Sequence, residues 1–156
     1  MSEDITIRMA TAEDAPVIAH HRHAMFFDMG HTDPAALEAM DASFLPYVSR
    51  WVADETYRGW LAQTSEGRIV AGGGLIVHEW PSRPISPAQP RRAYVLNVYA
   101  EPDYRGQGLA RRIMTEIVEW CRAQGFHAVS LHASALGRGL YESMGFEPTN
   151  EMRLVL

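Results

Sequence analysis

Apolar and polar positions along the 156-residue chain change period several times, and each change predicts an element. "ITIRMA", starting at Ile5, alternates with period two, as a half-buried strand does. Thr11 precedes Asp14 by three positions and Pro16 follows, a capping-box start for a helix through about Phe27 that Gly30 ends. A second helix is predicted from Asp33-Pro34, with Leu37, Met40, Phe44, Val48 and Trp51 along one face. Pro46 falls inside it and predicts a break or kink. "YRGWLAQT" and "RIVAGGGLIVHEW" read as strands joined at Ser65-Glu66-Gly67, and Gly72-Gly73-Gly74 suggests a bulge or a close backbone approach. Residues 81–90 hold four prolines and predict a loop. "RRAYVLNVYA" is the next strand. The helix after it, over about 107–124, buries a stripe of Leu109, Ile113, Ile117, Trp120 and Cys121. "HAVSLHA" reads as a strand, "LGRGLYESM" as a short helix, and "FEP" and "NEMRLVL" as strands closing the sheet. The order βααβββαβαββ predicts a mixed α/β fold.

Composition bounds the rest. The length and the 47% hydrophobic content fit a single domain over residues 1–156. A domain of that size buries roughly 70% of its unfolded surface and needs no disulfide. Cys121 is the sole cysteine, so neither an internal disulfide nor a cysteine-based metal site can form. The net charge of -5, with no basic block, argues against nucleic acid as a partner. Met1-Ser2-Glu3-Asp4 lacks the order of a signal peptide, and no apolar run approaches the ~20 residues that cross a bilayer. The expectation is a soluble cytoplasmic protein with no membrane partner. His20 and His23 could share a helix face, but no third ligand is evident, so the histidines are read as a polar face with no metal.

The stretch "YVLNVYAEPDYRGQGLARRI", residues 94–113, passes from an apolar strand to an amphipathic helix through a basic, glycine-rich turn. Such a turn leaves the first N–H groups of the helix unpaired, and with the helix dipole they make an anion site. Gly106 and Gly108 let a phosphate approach the backbone, and Arg105 adds a cation with a fork suited to phosphate oxygens. An ordinary tight turn is the competing reading. Neither familiar nucleotide pattern fits. The Walker A spacing is absent, and Arg111 stands where a Rossmann turn has its third Gly or Ala.

Arg105-x-x-Gly108-x-Ala110 resembles the Arg/Gln-x-x-Gly-x-Gly/Ala loop of the GNAT superfamily of N-acetyltransferases. "LNVYAEPDYRGQG" looks like its acyl-CoA strand and "LYESMGF" like its later helix, and the element order matches over nearly the whole chain. The resemblance implies a twisted mixed sheet of about seven strands with about four helices, in which the fourth and fifth strands splay apart. Acetyl-CoA would sit in the splay as co-substrate. Its pantetheine would pair with Asn97, Val98, Tyr99 and Ala100, and its pyrophosphate would rest on Arg105, Gly106, Gln107, Gly108, Leu109 and Ala110. Many members carry an Asn before the last helix. Ser134 stands in its place here, which implies a cofactor contact that is weaker or absent.

The implied reaction transfers the acetyl group directly to an amine of a small molecule or an exposed peptide. Tyr141 matches the family's general acid by its place in "LYESMGF", where residue type alone would read as a core tyrosine. Some relatives carry a glutamate base at the start of the fourth strand, where this chain has Arg91-Arg92. His132 is the substitute expected. With Val129, Leu131 and Ala133 on the core, Ser130 and His132 face the substrate side. A structural histidine is the bland alternative, and Glu79 and His78 are weaker bases. In "HRHAMFFDMGH", Met25, Phe26 and Met29 are expected to line the acceptor cleft and Asp28 to pair with a cationic acceptor, unless it is merely solvated near the helix end. Small amines with an apolar group are therefore expected over long polybasic peptides. A homodimer is left open. The rival readings are a non-catalytic acyl-CoA sensor, separable by CoA release, and a nucleotide-binding protein, favoured only if ATP outcompetes CoA.

Overall fold

The computed structural model describes residues 3–156, and these form a five-stranded mixed sheet flanked by helices. Strands β1 (Ile5–Met9), β2 (Tyr57–Thr64), β3 (Ile69–Glu79), β4 (Arg91–Ala100) and β5 (Val129–Leu131) lie side by side in chain order. The first four are antiparallel, and β5 runs parallel to β4. The helices are α1 (Ala15–Asp28), α2 (Pro34–Ala53), α3 (Leu109–Ala123) and α4 (Arg138–Ser143). Helix α3 makes the crossover that a parallel β4–β5 pair needs.

Local chemistry sets the helix ends. The Thr11 N–H donates to Asp14 Oδ2 at 2.7 Å, opening a 3-10 turn that leads into α1. Asp33 accepts from the Ala35 N–H at 3.2 Å and Pro34 opens α2. Helix α2 runs unbroken through Pro46 rather than breaking there. Pro46 and Ala42 are both exposed, so water can take the Ala42 carbonyl that the proline leaves without a donor.

The strand count is five among the described residues, not about seven, although the mixed α/β class stands. "FEP" and "NEMRLVL" form no strands, and residues 147–156 are irregular. Pro148 has no N–H to give a ladder. Glu151 instead turns to Arg92 (3.8 Å) and His132 (3.4 Å), and Met152, Leu154 and Val155 stay exposed.

Two of the three consecutive glycines in β3 let helices press on opposite faces of the sheet, and the third makes room for Tyr57 of β2. A Cβ on Gly72 would stand 2.8 Å from His21 Nδ1 of α1, and one on Gly73 would stand 2.8 Å from Ile113 Cγ2 of α3. On Gly74 it would strike the Tyr57 hydroxyl. The α3 side is a continuous apolar core in which Ile113, Met114, Ile117 and Cys121 are fully buried, each large side chain worth about 1.5–3 kcal/mol. The α1–α2 side holds a smaller cluster of Ala15, Ile18, Val48 and Tyr57.

Opposite the glycines, β4 carries one extra residue. Gly72 pairs with Tyr99 and Gly74 with Leu96, so two residues of β4 face Gly73. Asn97 absorbs the bulge at φ 58. Alternation is re-phased there: Ala93 and Val95 before it, and Val98 and Ala100 after it, all pack with the α3-side core. Strand β5 pairs only with Ala93, Tyr94 and Val95. Beyond them β4 keeps its pairing with β3 but, among the described residues, has no strand on its β5 side, and β4 and β5 splay apart as expected.

Candidate active site

The splay opens into a cleft of 240 Å³. Arg22, Met25, Phe26 and Met29 of α1 form one wall, and β4 from Tyr94 through Val98 forms another. Leu131, His132, Ser134 and Tyr141 complete it. Met25, Phe26 and Met29 thus line the cleft alongside His132, Ser134 and Tyr141, gathering residues that the sequence singled out separately.

Tyr141 is buried in α4, its ring against Phe146. Burial raises its pKa above the ordinary tyrosine value, so it carries its proton at neutral pH. Its hydroxyl is bonded to none of the described residues, which leaves the O–H free for a bound group. Ser134 Oγ accepts from the Gly137 N–H at 3.1 Å, so part of its capacity is spent inside the loop before α4.

His132 follows β5 on the side away from the α3 core, its ring 5.6 Å from that of Tyr94. Its Nε2 lies 3.4 Å from Glu151 Oε1, and the side chain is more than half exposed. Val129 and Leu131 pack with the core, as the alternation expected, but Ala133, past the end of β5, is exposed instead. His78 and Glu79 lie at the far end of β3, against Arg91 and Arg92, and do not line the cleft.

At the other end of the cleft β4 runs into a turn. Gly106 and Gly108 take φ values of 75 and 77, which favour glycine, and nothing stands within 4 Å of where a Cβ would be. The N–H groups of Gly106, Gln107 and Gly108 find no backbone acceptor among the described residues, and those of Leu109, Ala110 and Arg111 open α3. Arg105 stands over the Tyr99 ring, donating from Nε to the Ala100 carbonyl at 2.9 Å and from Nη2 to Asp28 Oδ2 at 2.6 Å. Asp28 is therefore placed on Arg105, not among the residues that line the cleft.

The three histidines of α1 diverge. His20 meets Glu101 at 2.8 Å and His23 meets Asp41 at 2.7 Å. His21 is buried against the Tyr99 ring, and burial pushes its pKa down to about 4, so it is neutral. Among the described residues no three potential ligands gather into a metal site.

Two side chains escaped the sequence reading. The Asn97 side chain donates to the Tyr57 hydroxyl at 3.2 Å and accepts from Arg22 Nη1 at 2.8 Å. Arg22 itself was hidden between two histidines, yet Ile18, Arg22, Met25 and Met29 recur at helical spacing and share one face. That periodicity was the available signal.

Comparison with known proteins agrees with this geometry. The sequence model of the acetyltransferase (GNAT) family matches residues 20–146. The chain is 27% identical over 152 residues to the uncharacterized N-acetyltransferase YjgM of Escherichia coli, covering 90% of this chain and 81% of that one. It is 31% identical to mouse N-acetyltransferase 8, covering 67% of this chain but only 50% of the mouse protein. Among solved structures, a GCN5-related N-acetyltransferase from Ralstonia eutropha superposes with a TM-score of 0.93 at 34% identity, over 98% of this chain and 99% of that one. A predicted acetyltransferase from Clostridium acetobutylicum, solved with acetyl-CoA, shares the fold with a TM-score of 0.87 at 24% identity, over 98% and 96% of the two chains. The chain belongs to the acetyltransferase (GNAT) family, whose reaction is acyl transfer from acetyl-CoA to an amine.

Proposed function

We propose that the cleft binds acetyl-CoA along the free edge of β4 and transfers its acetyl group directly to a small amine or an exposed peptide amine. The observation that carries this reading is continuity. An unpaired strand edge runs straight into a turn of free N–H groups, and a buried, protonated tyrosine faces the strand across the cleft. Asn97, Val98, Tyr99 and Ala100 would present backbone to the pantetheine. Residues 105–110, Arg105 foremost, would hold the pyrophosphate through N–H groups and charge.

The chemistry divides between the two ends of the acyl transfer. The acceptor nitrogen must be neutral to attack the thioester carbonyl. An alkyl ammonium of pKa ~10.4 is only about 0.04% neutral at pH 7, a cost of about 4.6 kcal/mol. His132, open to solvent and beside Glu151, would accept that proton directly or through water. As the tetrahedral intermediate collapses, the C–S bond breaks and the thiolate needs a donor. Tyr141 supplies a hydrogen bond to the leaving sulfur, with full proton transfer late, because its pKa exceeds the thiol's. Met25, Phe26 and Met29 favour a compact, partly apolar acceptor over a long polybasic peptide.

Among the described residues no helix is long and apolar enough to cross a membrane, and a cytoplasmic setting is part of the proposal. The test is thiol release from acetyl-CoA across a panel of amines, with acetyl-CoA binding measured by calorimetry. Turnover of a small amine is the expected result. Binding without turnover of any amine would favour a sensor, and faster turnover of histone-tail peptides would overturn the substrate class.

A further inference from the structure

Arg22 is a partly desolvated cation with no anion beside it. Its guanidinium lies between the rings of Phe26 and Phe44, 4.9 Å from each centroid. Nη1 gives one hydrogen bond, to the neutral Asn97 amide, and the buried Nε has no partner. Burial pulls its pKa below the ordinary arginine value, though such a group stays charged at any physiological pH. Among the described residues no carboxylate comes within salt-bridge distance of it, and the acids around α1 are committed elsewhere. Asp28 holds Arg105, Asp41 holds His23 and Glu101 meets His20.

Removing a guanidinium from water is costly unless an opposite charge or enough hydrogen bonds compensate. Two aromatic faces and one amide compensate in part. They also fix the plane of the fork, which is how a bidentate oxyanion site is pre-organised. Acetyl-CoA brings no anion to this place in the proposed pose. Its phosphates belong at the 105–110 turn, which Asp28 contacts, and Arg22 lies six residues earlier on α1, roughly 9 Å along the helix axis. The counter-charge must come from the other reactant.

We propose that Arg22 recognises an oxyanion carried by the acceptor, so that the amine acetylated in this cleft bears a carboxylate or a phosphate. This rests on the acetyltransferase reading above and narrows its substrate class. The methionine and phenylalanine side chains would meet the body of the acceptor between its anion and its amine.

Matched pairs of amines test it by thiol release from acetyl-CoA: amino acids against their amides, and amino-sugar phosphates against the free amino sugars. In at least one pair the charged member should show kcat/KM at least tenfold higher. The pair that responds tells carboxylate from phosphate. Arg22→Gln should erase the preference chiefly through KM, and Arg22→Lys should keep part of it, with thermal melts confirming that both variants are folded. Equal use of charged and neutral members, acceptance of neutral amines alone, or acceptance of no charged member while acetyl-CoA binds would overturn the inference. So would a preference that persists in folded Arg22→Gln. Failure of the wild-type protein to bind acetyl-CoA would instead bring down the acetyltransferase reading.

Discussion

Helices α1 and α3 press on the same strand from opposite sides, one over Gly72 and the other over Gly73, with buried faces of different chemistry. Helix α3 buries Leu109, Ile113, Met114, Ile117 and Cys121, all apolar, at helical spacing. Helix α1 buries only Ala15, Ile18 and His21, then sends Arg22, Met25, Phe26 and Met29 toward the cleft. The first arrangement maximises dry contact. The second leaves an orphaned His21 Nε2 and a weakly paired guanidinium inside the fold, groups that cost stability unless something else uses them. One helix holds the sheet together, and the other spends part of that stability on the wall of the cleft.

Substitutions can break or sharpen this division, and the largest effect is expected at Tyr141. It belongs to the α3-side core and also lines the cleft, and its hydroxyl is hydrogen-bonded to none of the described residues. Tyr141→Phe should lower kcat by about 10²–10⁴, or about 3–5 kcal/mol of activation energy, with acetyl-CoA affinity and melting temperature nearly unchanged. A kcat within twofold for a confirmed acceptor would return the residue to packing alone. Ile117→Ala should do the reverse, costing about 2–5 kcal/mol in denaturant unfolding with kcat and KM intact. A large kinetic effect there would end the separation of roles.

His21 probes the cost borne by α1. Its pKa is about 4 when folded and about 6.5 when unfolded, so the unfolded chain binds the proton more readily. The associated stability is present above pH 6.5 and is lost as pH falls toward 4, about 3 kcal/mol in all. His21→Phe should flatten the stability profile over that window in urea titrations at several pH values, and an unchanged slope would place the acid sensitivity elsewhere. The smallest expected effect is at the head of α3. Gly108→Val, at φ 77, should weaken acetyl-CoA binding at least tenfold, about 1.4 kcal/mol. Equal affinity by calorimetry in a folded variant would remove the turn from the site.

What was legible in the sequence follows from range. The α3 stripe and the glycine turn are patterns within one or two turns of chain, and both could be read from spacing. The short helix in "LGRGLYESM" is likewise local, whereas the role of Tyr141 within it rests on the family resemblance alone. Asp28 was not legible in the same way, because its partner Arg105 lies 77 residues away and no local pattern announces the pair. The Gly72-Gly73-Gly74 run did point to a bulge, but the extra residue is Asn97 in the neighbouring strand. The glycines mark where helices come close, and the partner strand absorbs the mismatch. "NEMRLVL" alternates as a strand would, yet alternation describes a side-chain pattern and supplies no edge to pair with.

The bulge at Asn97 makes β4 intolerant of changes in length between its pairing with β5 and the turn before α3. Leu96 and Asn97 sit consecutively on the α1 side of the sheet, and that single repetition lets Tyr99 meet His21 while Val98 and Ala100 meet the core. Losing one residue there would exchange the two sets, carrying Tyr99 into the apolar layer and the small residues toward the cleft. Gaining one would do the same. A point substitution at this spot perturbs one contact, but a one-codon insertion or deletion inverts the strand's exit toward the glycine turn before α3. In this part of the protein, residue count is as strict a requirement as residue type.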